Sequence, residues 1–123
     1  MCFINFNLIK SEENWANKVD SEDLKRLKHS GRIAAMVLAK ARRRLRSVVS
    51  KLQLCEKIED TIRKMAAIPA FPVNISVNEQ AAHYTSPPFD KSVLPSVGVA
   101  KLDIGVTVEG WLVDIAVSLN IRF

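Results

Sequence analysis

"KLDIGVTVEGWLVDIAVSL", Lys101 to Leu119, sets two aspartates, Asp103 and Asp114, inside two runs that are otherwise among the most apolar of the chain. If Glu109 and Gly110 make a tight turn, the flanking runs pair as an antiparallel hairpin with position 103 opposite 116 and position 105 opposite 114. Side chains alternate along each strand. One face then collects Leu102, Ile104, Val106, Val108, Trp111, Val113, Ile115, Val117 and Leu119; the other collects Asp103, Gly105, Thr107, Leu112, Asp114, Ala116 and Ser118. The first is a core face. The second is small and polar, and on it Asp103 and Asp114 are diagonal cross-strand neighbours, their Cβ atoms roughly 7 Å apart or less. Two like charges at that distance repel, so a buried pair needs a shared proton or a cation between them. Parity alone leaves two readings open, a face turned to water or a face turned into a cleft.

The chain has 123 residues and an ordinary soluble composition, one domain's worth with room for a core. Cys2 and Cys55 lie far apart with no CxxC pattern, which gives no zinc motif and suits free thiols in a reducing compartment. The opening "MCFINFNLIK" lacks a basic leader and is too short to span a bilayer, so a cytoplasmic protein without membrane association is expected. Residues 1–20 read as an N-terminal extension.

The net charge of +5 is uneven: up to Lys64 there are 15 basic and 8 acidic residues, and the remainder carries 3 and 5. Arg42, Arg43, Arg44 and Arg46 in "KARRRLRSVVSK" form a dense patch, either a solvated helix face or a surface for nucleic-acid phosphates. No aromatic residue interleaves with it, so base stacking is not indicated.

Helices come first and strands second. Asp20 or Ser21 caps a helix with Glu22 and Asp23 in its first turn. An apolar stripe runs from Leu24 to Val49, and a second, Leu54, Ile58, Ile62 and Met65, continues to about Ala67. No glycine or proline separates the two, so helix rules alone allow one long helix, stopped by Pro69 and Pro72. In "PAFPVNISVNEQAAHYTSPPFD", Pro69 to Asp90, "NISVN" alternates like a short strand and "TSPPFD" reads as a loop. There is no phosphate loop, HExxH motif or nucleophile elbow. The ionisable groups that can share a site are therefore His83, Asp103 and Asp114.

"PAFPVNISVNEQAAHYT" followed by "KLDIGVTVEGWLVDIAVS" closely resembles the archaeal, type II methionine aminopeptidases, which are pita-bread metallohydrolases. The likeness begins near "SGRIAAMV", Ser30 to Val37, and runs to the end of the chain. It implies an α+β fold, residues 21–123 being the N-terminal half of a pita-bread domain with two helices on a curved, mostly antiparallel sheet from Val73 onward. It implies removal of N-terminal methionine from peptides by two divalent ions (cobalt, manganese, iron or zinc), which activate water and polarise the scissile carbonyl. Asp103 would chelate one ion and Asp114 bridge both. His83 would position the scissile amide and assist the leaving amine, and Phe71 and Asn74 would help bind substrate.

The family site takes three further ligands, a histidine and two glutamates, from the other half of the fold. By itself this chain is expected to bind divalent metal weakly and to lack turnover. It is expected to associate with a complementary C-terminal half or with itself through an exposed sheet margin. The alternative is a noncatalytic relative acting as a protein- or ribosome-binding module through Arg42, Arg43, Arg44 and Arg46. Local departures from the family pattern are "RSVVSKLQ" for a Pro-Gly turn, "MAAIPAFP" without its usual glycine, Ile115 for threonine and Thr107 for a histidine. The missing glycines bear on turns that favour positive φ.

Overall fold

The computed structural model describes residues 19–45 and 49–123. Cys2, Arg46 and nearly all of the N-terminal extension lie outside the described residues. Helix α1 spans Ser21–Arg44 and is capped by Asp20, whose side chain accepts a 2.8 Å hydrogen bond from the Asp23 amide. Its buried stripe is Ser30, Ile33, Ala34, Val37 and Ala41. Helix α2 spans Lys51–Lys64, with Ser50 as N-cap, and buries Leu54, Cys55, Ile58 and Ile62.

The single long helix that local rules allow does not form. Arg42 to Arg44 sit in the last turn of α1, where cations suit the negative end of the dipole, and Ser50 starts a new helix. Packing is the physical reason: both stripes bury on the same sheet, and one straight helix cannot lay both along it.

The second helix also stops short of the position expected from the prolines, at Lys64 rather than near Ala67. Ala66 adopts φ 57°, and its amide bonds to the Arg63 carbonyl while the Ala67 amide reaches back to Ile62. That is a Schellman termination with alanine in the position glycine usually takes.

Strands β1 (Ile68–Pro69), β2 (Asn74–Val77), β3 (Val97–Val108) and β4 (Trp111–Arg122) form one antiparallel sheet. It begins at Ile68, ahead of the expected Val73. The first two strands pair with different parts of one edge of β3, and β4 pairs along the whole of the other. Glu109 and Gly110 form the hairpin turn with φ 50° and 84°, and the register is Asp103↔Ala116 and Gly105↔Asp114, as side-chain parity requires.

Ile33, Val37, Leu54, Ile58 and Ile62 from the helices meet Ile75, Leu102, Ile104 and Val106 from the sheet in one core. The Ser30 hydroxyl donates to the Trp111 carbonyl at 2.7 Å, and Arg26 pairs with Glu109 at 2.6 Å, tying α1 to both sides of the hairpin turn. Across β4 the apolar face is thinner: Val113, Ile115, Val117 and Leu119 are only half-buried. Among the described residues no helix is long and apolar enough to cross a membrane.

Candidate metal centre

The polar face of the hairpin carries the site. Asp103 stands on β3 directly between Asn74 of β2 and Ala116 of β4, and Asp114 lies one row further along, opposite Gly105. Gly105 is where it is for a steric reason. A Cβ there would lie 2.3 Å from Cε1 of Phe71, so the ring of Phe71 fills the volume that any other residue would need. The Ala70 amide bonds to the Gly105 carbonyl at 3.0 Å and holds the "PAFP" segment over the sheet.

A loop brings His83 to the same place. The residues after it are clipped to β2: the Ile75 amide donates to the Tyr84 carbonyl at 2.7 Å, the Tyr84 amide to Ser76 Oγ at 3.2 Å, and Thr85 Oγ1 to the Val73 carbonyl at 2.9 Å. The Tyr84 hydroxyl donates to Asp90 at 3.0 Å, and the Asp90 carboxylate also accepts from the Ser92 amide and hydroxyl. Those bonds, the Ser92 amide first, draw the Asp90 carboxyl down to about 2. His83 itself takes φ 64°, a left-handed conformation that costs of order 1–3 kcal/mol in a non-glycine residue and persists where the surroundings determine it.

Phe71, Asn74, His83, Asp103 and Asp114, with Pro72 and Thr85, line one cavity of about 290 Å³. An adjoining cavity of about 280 Å³ shares Asn74, His83 and Asp103 and adds Ser76, Lys101 and Ser118. All five residues singled out from the sequence therefore meet. Lys101 was not among them, although parity places it on the Asp103 face two residues earlier; its ammonium donates to the Asn78 carbonyl at 2.6 Å. Pro72 and Thr85 carried no signal, because only the loop's path brings them in.

Asp103 Oδ1 is buried and has no hydrogen-bond partner. Burial first, and then the neighbouring Asp114, hold its carboxyl above the ordinary aspartate range, partly offset by the charge of His83. A buried carboxylate oxygen without a donor costs free energy unless something positive faces it. A hard divalent cation meets that need, and the paired carboxylates are the right donor type for it. The fit is that of a partial ligand set: among the described residues no three His, Cys, Asp or Glu side chains group closely enough to hold a metal ion.

Arg42, Arg43 and Arg44 of the arginine patch are all exposed in the last turn of α1. Arg44 donates to the Lys57 carbonyl at 3.3 Å, Arg42 turns toward a cavity shared with Leu119, Arg122 and Phe123, and Lys51 is buried with its ammonium 4.7 Å from the Tyr84 ring.

An antiparallel sheet backed by two helices, with a carboxylate pair on one face, defines a class that sequence comparison names. The chain belongs to metallopeptidase family M24, whose family model matches residues 25–122. Within it the chain is similar to the methionine aminopeptidases of Pyrococcus abyssi, 42% identical over 99 residues, and Methanothermus fervidus, 45% identical over 101 residues. Each match covers 80% of this chain, but 34% of the first relative and 53% of the second, so the chain spans about a third to a half of the proteins it matches. The crystal structure of a methionine aminopeptidase from Thermotoga maritima superposes with a TM-score of 0.76 at 20% identity, over 84% of this chain and 44% of that one. The fold is thus half of a pita bread.

Proposed function

We propose that this chain supplies the N-terminal half of a methionine-releasing metalloaminopeptidase site, Asp103 and Asp114 being its share of the metal ligands. The observation that carries the reading is the orphaned, buried Oδ1 of Asp103 beside Asp114, in a cavity also lined by His83, Asn74 and Phe71.

Divalent ions bound there supply Lewis-acid polarisation of a scissile carbonyl and lower the pKa of water. The chain's own groups do the rest. Phe71, braced on Gly105, walls an apolar pocket suited to a methionine side chain. Asn74, in the row beside Asp103, offers an amide for the peptide backbone. The His83 imidazole stands exposed at the shared wall of the two cavities, where it can bond the scissile amide nitrogen and hold a proton for the departing amine. Two carboxylates make an open, weak site, so the isolated chain binds metal loosely and does not turn over. A complementary half bringing one histidine and two glutamates would complete it.

Calorimetric titration of the pure chain with Mn²⁺ tests this. Weak binding that disappears in both Asp103→Asn and Asp114→Asn is expected; binding unchanged by either substitution sinks the assignment. Release of methionine from a Met-Ala-Ser peptide by the chain alone would sink the claim of dependence on a second half.

A second reading, a noncatalytic module contacting ribosomal RNA, draws support from the exposed Arg42 and Arg43.

A further inference from the structure

His83 lines the carboxylate cavity from a segment with little of its own to hold it. Ala81, Ala82 and His83 are exposed and make no hydrogen bond among the described residues, and His83 sits at φ 64°. The segment is fastened at its two ends. Gln80 closes the turn after β2, its amide donating to the Val77 carbonyl at 3.0 Å and its side-chain oxygen accepting from the Val77 amide at 3.1 Å. Tyr84 is the fastening on the other side, immediately after the imidazole.

A left-handed residue in an unbonded segment relaxes unless the peptide that follows it is fixed, because a change of conformation at His83 swings the His83–Tyr84 peptide. Two sets of contacts fix that peptide. The backbone set is the Tyr84 amide on Ser76 Oγ at 3.2 Å and the Tyr84 carbonyl accepting from the Ile75 amide at 2.7 Å. The side-chain set is separate. The Tyr84 hydroxyl donates to Asp90 Oδ2 at 3.0 Å, and that carboxylate is itself held by the Ser92 amide at 2.8 Å and the Ser92 hydroxyl at 2.9 Å. The Ser92 carbonyl accepts from the Lys51 amide at 3.0 Å, so the acceptor is anchored to the first residue of α2. The ammonium of the same lysine lies 4.7 Å from the centre of the Tyr84 ring, a cation–π distance. The phenol–carboxylate bond is charge-assisted and of the stronger kind, whereas the Ser76 bond is neutral and long.

We propose that Tyr84 is a positioning residue for His83: its phenol, bonded to Asp90 and covered by Lys51, is a strut from α2 that holds His83 left-handed and its imidazole in the carboxylate cavity. Loss of the hydroxyl leaves the backbone bonds in place but frees the ring to turn, and the strained residue beside it then has a route to an ordinary conformation. What His83 does in the cavity rests on the aminopeptidase reading; the strut itself does not.

Nuclear magnetic resonance of the full chain tests it. The nuclear Overhauser effect between the amide and α protons of His83 is markedly stronger when φ is positive, so it reads the left-handed conformation without metal or peptide. It should be strong in the parent and fall to that of an ordinary extended residue in Tyr84→Phe and in Asp90→Ala. Asp90→Asn should keep it, since an amide still hydrogen-bonds a phenol. A second readout uses Mn²⁺. Selective broadening of the His83 imidazole signals, with His29 on α1 as the internal control, is expected in the parent and lost in Tyr84→Phe at unchanged Mn²⁺ affinity. Circular dichroism checks that each variant is folded; Tyr84→Phe keeps the ring under Lys51 and removes only the hydroxyl oxygen. A strong His83 effect in both Tyr84→Phe and Asp90→Ala, or imidazole broadening that survives Tyr84→Phe, would overturn the proposal. No broadening in the parent, with the proton pattern as expected, would support the strut and defeat the metal-centre reading instead.

Discussion

Phe71 and Gly105 occupy the same space: the ring of the first lies where the second would carry a Cβ, with Cε1 at 2.3 Å and the Ala70 Cβ at 2.9 Å from that point. The contact matters because Gly105 faces Asp114 across the hairpin, so the position of the ring and the shape of the cavity beside the carboxylates are set together.

Gly105→Ala should therefore displace Phe71 and destabilise the protein by about 1–3 kcal/mol, the usual cost of overfilling a packed site. Urea unfolding measures this as a lower midpoint. In a Phe71→Ala background the penalty should shrink, because only the Ala70 clash remains. An equal penalty in both backgrounds would mean that the ring is not what excludes a side chain.

Ala66 holds the left-handed position that ends α2, with φ 57°, and it is exposed. A residue with a Cβ pays roughly 1–2 kcal/mol there, which glycine avoids. Ala66→Gly should stabilise the chain by about 1 kcal/mol, less whatever is lost to the greater freedom of glycine in the unfolded state. Thermal unfolding with a raised midpoint is the expected result, and the same change at Lys64, inside the helix, should lower it.

Asp103 gives stability a pH dependence of definite sign. Its folded-state pKa is raised, so the protonated form is favoured by the fold. Its contribution is fully present below the unfolded-state value of about 3.9 and is lost as pH rises through the folded-state value. Asp103→Asn removes that loss, so the variant should melt a few degrees higher than the parent at pH 7, with the gap closing toward pH 3. Adding Mn²⁺ at pH 7 should raise the parent's melting temperature and leave the variant's unchanged, since a cation favours the ionised carboxylate. A variant less stable than the parent at pH 7 would show that the Asp103 carboxylate is not the strained group.

Several features belong to the sequence because they arise over a few residues. The tight turn at Glu109 and Gly110 and the period-two alternation decide the hairpin register, and with it the diagonal placement of Asp103 and Asp114. Asp20 caps α1 because its side chain need only reach Asp23. "NISVN" pairs as Asn74–Val77 for the same local reason.

Other features needed the whole fold. The break between the helices reflects competition of two apolar stripes for one sheet, which no rule about glycine or proline contains. Burial of Lys51 against Tyr84, and capping of the Val73 amide by Glu59 at 3.2 Å, join residues 33 and 14 positions apart. The Phe71 ring over Gly105 and the loop that carries His83 to the carboxylates depend on segments meeting across the sheet. Alternation along a strand is a property of the backbone and can be counted in the sequence. Whether the face it defines turns to water, to a ring or to an unpaired carboxylate oxygen depends on what packs there, and only the tertiary structure decides that.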